Sequence, residues 1–146
     1  MPRSQPGLRI AMRHSLIWRP DRFKEQMQRG ARLAEIELAE ATVDEMRSVV
    51  HVITGTLRRS LHVAPNTYDG RSDKGRAQAG EDLRDVARPS MRDRTPIQAG
   101  SWVDYALYEN ARGGSHAFAD LAFAALRSRK DEIIRSAFQR AAVAAR

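Results

Sequence analysis

Imidazole, hydroxyl and carboxylate groups are the side chains that could do chemistry in this sequence, and their spacing gathers none of them into a reactive set. The histidines are His14, His51, His62 and His116. No two stand at the i, i+4 spacing that presents a metal-ligand pair on one helix face, and there is no His-Glu-x-x-His run. Cysteine is absent, which removes thiolate metal sites and disulfides. Ser60, Ser90, Ser101 and Ser115 lack the strand–turn–helix context of a nucleophile elbow. Gly113-Gly114 and the scattered glycines match neither phosphate-loop nor dinucleotide-binding spacing. Glu35, Glu37, Glu40, Asp44 and Glu45 crowd one segment and read as solvated or interfacial charges, not as a general acid and base. The expectation is a protein that is not an enzyme and takes no metal and no cofactor.

Two short stretches carry more information. The first is Ile53-Thr54-Gly55-Thr56-Leu57-Arg58-Arg59-Ser60-Leu61, which reads as a helix stop, a tight turn and a strand start. Thr54-Gly55 supplies the stop, with Gly55 free to take positive φ. Gly55 and Leu57 are expected to hold the corner and the core, with Arg58 and Ser60 facing outward. The second is Trp102-Val103-Asp104-Tyr105-Ala106-Leu107-Tyr108-Glu109-Asn110. Here Trp102 is expected to pack the sheet against the helices, and Tyr105 and Tyr108 to present hydroxyls to a partner or a backbone group. Arg58, Arg59, Arg71, Lys74 and Arg76 are candidate intersubunit or phosphate-facing cations. No helix-turn-helix, zinc-finger or RNA-recognition signature accompanies them.

The elements that position these stretches are read from periodicity. Residues 21–50 read as a helix, with Pro20 or Asp21 at its start. Met27, Ala31, Ala34, Leu38 and Ala41 follow one face, and Leu33, Ile36, Val43, Met46 and Val50 widen the stripe. Gly30 is a candidate break or bend. Residues 57–64 read as a strand with Leu57, Arg59, Leu61 and Val63 on one face; Arg59 is the misfit. Residues 66–95 look least structured, a flexible or assembly loop with a short helix expected over 78–87. A second strand is expected over 97–105, a short helical piece over 105–110, a turn at Arg112-Gly113-Gly114-Ser115, and a closing helix over 120–144 capped by Asp120. Residues 1–20 form an N-terminal arm or strand ahead of a single domain at 21–146. The class is α+β: a long N-terminal helix, a small antiparallel sheet with a long loop, and a C-terminal helix packed on the sheet.

Composition bounds the rest. The 146 residues fit one core, and the 29% charged and 42% apolar content is ordinary for a globular chain. No apolar run reaches the length of a membrane span, and Arg9 and Arg13 interrupt any secretory h-region. The net charge of +7 is uneven: residues 1–30 carry seven basic and two acidic side chains (+5), and residues 31–50 carry two and five (−3). That asymmetry suits head-to-tail contact between copies or, on the basic side, contact with phosphates.

In this order and separation the two stretches resemble the gene-product-ten-like head–tail joining proteins of long-tailed phages, the group associated with minor tail protein Z of lambda-like phages. The matching positions are Thr54, Gly55, Leu57, Arg58 and Ser60, then Val103, Tyr105, Ala106, Tyr108 and Glu109, between the long helix and the closing helix. Where the family has a Gly-Thr-type turn and a proline-phenylalanine stretch, this chain has Asn110-Ala111-Arg112-Gly113-Gly114 and His116-Ala117-Phe118, with Phe118 in the place of the family phenylalanine. The N-terminal arm and the 66–95 segment have no counterpart. The resemblance implies a structural protein of the virion neck, assembled in the host cytoplasm, with no membrane association. Its subunits would form a homo-oligomeric ring, a hexamer favoured over a dodecamer, between the portal adaptor or stopper and the tail terminator or tail tube. Genomic DNA would pass through the lumen. The alternative from the residues alone is a small basic DNA-binding or regulatory protein.

Overall fold

The computed structural model describes residues 19–51, 55–64, 70–85 and 89–144. Its spine is helix α1 (Pro20–Val49), which starts with proline in the first turn, where the N–H groups have no intrahelical acceptor, and with Asp21 beside the positive end of the helix. Thirty residues make it about 45 Å long. Gly30 does not interrupt the helix. A Cβ at Gly30 would lie 2.4 Å from Cδ1 of Phe138, so the glycine is a contact point where the ring of the last helix seats on bare backbone. The N-terminal arm at 1–18 and Thr54 lie outside the described residues.

Gly55 takes φ 77°, the positive value expected of it. The chain then forms a helix first and a strand second: α2 (Thr56–Ser60), then β1 (His62–Ala64). The continuous 57–64 strand is therefore corrected. Leu57 and Leu61 share a face under alternation and also at the i, i+4 spacing of a helical turn, so their pattern does not decide the period. The Arg59 N–H donates to the Gly55 carbonyl at 3.0 Å and closes the turn, which makes Gly55 the N-cap of α2.

Residues 66–95 hold more structure than their composition suggests. Helix α3 covers Gly70–Gln78, displaced from the expected 78–87, and a 3₁₀ turn covers Leu83–Asp85. Gly80 stops α3 at φ 94°, with the Glu81 N–H bonded to the Arg76 carbonyl and the Gly80 N–H to the Ala77 carbonyl, a Schellman closure. Ala77 and Leu83 are fully buried. Strand β2 (Gln98–Gly100) is shorter than 97–105 and pairs antiparallel with β1 in the register His62↔Gly100, Val63↔Ala99, Ala64↔Gln98.

Helix α4 (Ala106–Ala111) fulfils the short helical piece, and a 3₁₀ turn at Gly114–His116 comes after it. The closing helix is two helices, α5 (Phe118–Leu126) and α6 (Lys130–Val143). Arg127 and Arg129 bond to carbonyls three residues back, and the Ser128 hydroxyl donates to the Ala125 carbonyl; this tightened turn separates them. Asp120 sits in the first turn of α5 and is not its cap; the Asn110 side-chain oxygen accepts the Ala119 N–H at 2.9 Å instead.

Val43, Met46 and Val50 meet Leu57, Leu61, Val63, Ala106, Phe118 and Ala122 in one core. Helix α6 runs along α1. The class is α+β, with a two-stranded sheet among many helices. Met27 and Ala31 at the start of the α1 stripe are exposed, and the core begins at Ala34. No helix of the described residues is long and apolar enough to cross a membrane.

Candidate functional site

The two sequence stretches converge. Ser60 is fully buried, which corrects its expected outward position. Its hydroxyl donates to the Leu57 carbonyl at 2.8 Å and lies 2.6 Å from the Ser101 hydroxyl, which in turn accepts the Val103 N–H at 3.1 Å. Each hydroxyl owns one proton, so the chain runs one way: Val103 N–H to Ser101, Ser101 to Ser60, Ser60 to Leu57. The serine relay and the His62↔Gly100 pairing fasten the first stretch to the second. Leu57, Val103 and Ala106 are buried beneath this seam.

Beyond the seam, several large apolar and aromatic residues of the second stretch are exposed. Trp102 is 54% exposed, Leu107 75% and Tyr108 74%, with Tyr105 also exposed. Val103 and Ala106 take the buried positions of this stretch, while Trp102 is more than half exposed. Tyr105 and Tyr108 are exposed. Among the described residues the sheet has two strands, so β1 and β2 each keep one edge without a strand partner.

Two buried arginines of α1, which sequence spacing did not single out, hold in place the 66–95 segment between β1 and β2, hereafter the excursion. Arg47 donates through Nε and Nη2 to the Leu61 carbonyl at 3.0 and 2.5 Å, and through Nη1 to Asp82 at 2.8 Å. This hydrogen bond from Arg47 holds the Asp82 carboxyl below its usual range, helped by the Arg84 N–H. Arg32 donates to the Ser90 carbonyl at 3.1 Å and the Thr95 carbonyl at 2.9 Å. The Asp93 carboxylate shapes that turn by accepting the Thr95 N–H at 3.0 Å, and the Thr95 bonds lower its pKa. A signal was present: positions 32, 36, 39, 43, 47 and 50 form one 4-3-4-4-3 stripe, and a cation on an apolar stripe marks a buried, bonded charge.

No family model, curated protein or solved structure matches this chain.

The candidate cations are mostly engaged within the chain. Lys74 Nζ bonds Asp104 at 2.9 Å, Arg76 pairs with Glu81, and Arg59 Nε donates to the Ala77 carbonyl at 2.9 Å. Arg58 is exposed on a cleft of about 420 Å³ shared with Arg47, Gly55, Arg59, Asp82 and Arg84. The Arg71 side chain lies outside the described residues. The acidic face of α1 is likewise used internally: Glu37 pairs with Arg140, Asp44 with Arg84, and Glu45 with Arg129 at 2.8 Å. Charge on α1 thus secures α6 and the excursion, which weakens its use for contact between copies.

Glu109 stands at the centre of a separate cluster. Its Oε1 lies 2.5 Å from His116 Nδ1, and its Oε2 accepts from Arg112 Nη1 at 3.1 Å. The His116 bond, with Arg112 second among the favourable contacts, holds this carboxyl below the ordinary glutamate range against the opposing effect of desolvation. The His51 ring stacks at a tilt on His116, centroids 5.0 Å apart. Sequence separation hid this group: the fold brings together a residue just past α1, one turn of α4 and the 3₁₀ turn after it.

Proposed function

We propose that this chain is a structural subunit of a phage neck, a head–tail connector or tail-completion protein that assembles as a ring of identical copies. The observation that carries the reading is the exposure of four large side chains within seven residues of the second stretch, Trp102, Tyr105, Leu107 and Tyr108. Adjacent exposed rings of this size mark an interaction surface more often than a solvated one. The buried serine relay beneath them fixes their position before assembly, and a pre-set surface lowers the ordering cost of binding. The resemblance of the two stretches to head–tail joining proteins supplies the occupant, a second copy of this chain, and a role that needs no active site.

Mass photometry of the full chain tests this. A discrete ring, with six copies favoured and twelve the other option, is the expected result. A monomer at micromolar concentration overturns the ring. The DNA-binding alternative draws on Arg58 and the pI of 10.7. It gains support if the monomer binds duplex DNA with a steep inverse dependence on salt.

A further inference from the structure

We infer that His51, Glu109 and His116 form a binding site for one divalent transition-metal ion of the zinc class. One donor atom from each residue lies within 4.8 Å of the other two. Around a tetrahedral zinc ion with ligand bonds near 2.0–2.1 Å, neighbouring donors stand about 3.3 Å apart. To reach that spacing His51 has to move in and Glu109 Oε1 and His116 Nδ1, now 2.5 Å apart, have to open; His51 is exposed, which gives its ring room to turn.

The chemistry of the set is selective. Two imidazoles and one carboxylate suit zinc and its neighbours, whereas magnesium and calcium take oxygen donors. Glu109 is prepared for the role, since Arg112 engages Oε2 and leaves Oε1 directed at His116. Such an outer contact orients a ligating carboxylate. The ion takes the place of the proton held between Glu109 Oε1 and His116 Nδ1, and both groups then act as donors. Three protein ligands would leave the fourth position of a tetrahedral ion to water.

A bound ion ties the end of α1 to α4 and to the 3₁₀ turn Gly114–His116, segments far apart in sequence. The unfolded chain does not offer this set preassembled, so binding adds to folding stability. This inference does not depend on the neck-protein reading, because stoichiometry per chain is measured equally well on a monomer or a ring.

Titration calorimetry on the metal-stripped full chain with zinc chloride tests the site, with cobalt absorption as the second readout. The expected result is one equivalent per chain in the micromolar range or tighter, visible cobalt bands of reduced symmetry, and a raised Tm; magnesium chloride gives none of these. His51→Ala removes an exposed side chain and keeps the fold, and it weakens zinc binding at least about tenfold. Absence of saturable zinc binding by the wild-type chain overturns the site, as does equal affinity in wild type and His51→Ala.

Discussion

At the scale of single residues, buried polar groups here are joined in directed chains, and each chain has a testable consequence. In the serine relay Ser60 accepts from Ser101 and donates to the Leu57 carbonyl. Ser60→Ala deprives both neighbours at once, taking the hydroxyl donor from the Leu57 carbonyl and the acceptor from the Ser101 proton, a loss of about 1–3 kcal/mol. Adding Ser101→Ala removes one of the orphaned groups, so the double variant is expected to lose less than the sum of the single losses. Urea unfolding of the four proteins gives the coupling, and strict additivity would refute the relay. Asp82 offers the pH counterpart. Its carboxyl is held low by Arg47, so folding gains from the ionised form above the unfolded pKa of about 3.9, and the gain is lost as pH falls through the lower folded value. Asp82 is more than half exposed, so solvent limits the effect to about 1 kcal/mol or less. Asp82→Asn should therefore lower stability at pH 7 and match wild type at the acid end of the range. A difference that grows toward low pH contradicts the pairing.

At the scale of elements, α1 and α6 cross where Gly30 meets Phe138. Alanine at position 30 gains about 1 kcal/mol of helix propensity. Its Cβ, however, would stand 2.4 and 2.7 Å from two ring carbons, and displacing a seated ring costs about 1–3 kcal/mol. Gly30→Ala is expected to lower Tm in the wild-type background and to raise it once Phe138→Ala has cleared the space. Stabilisation in both backgrounds would show that the ring is not seated there. At the other corner, Gly55→Val forces a β-branched residue to φ 77° and should cost more than about 1 kcal/mol. The nearest atom to its Cβ is the flexible end of Arg59, so backbone strain and not collision dominates. An unchanged Tm would contradict this. Gly55 and Leu57 were legible in the sequence because a turn glycine and a core leucine act locally. The 57–64 segment was not, since Leu57 and Leu61 satisfy both periods and only a tertiary preference chooses. Arg32 and Arg47 were legible in principle, sitting on the apolar stripe, but their acceptors are backbone carbonyls that no side-chain pattern announces. The His51–Glu109–His116 group depends on how α1 ends relative to α4, which is a property of packing alone.

At the scale of the whole molecule, internal and external surfaces divide the charges from the rings. Acidic groups of α1 engage α6, the turn before it and the excursion, and Lys74, Arg76 and Arg59 engage the body of the subunit, so electrostatics mainly hold one chain together. Leu107 and Tyr108, in the second stretch, are turned to solvent instead, where the proposed contact between copies would bury them. This division sets an expectation for the ring. If apolar burial at Leu107 and Tyr108 drives assembly, added salt leaves the oligomer intact, because screening acts on exposed charge pairs and not on buried apolar area. Leu107→Asp with Tyr108→Glu places two charges at those positions, where burial without partners is costly. The double variant should be monomeric by mass photometry with a Tm within a few degrees of the wild-type subunit, since both side chains are exposed and leave the core untouched. Opposite results are informative in kind. A ring that dissolves in moderate salt but survives the double substitution would move the interface to charged surface. A double variant that unfolds would show that these two side chains support the fold and not the contact between copies.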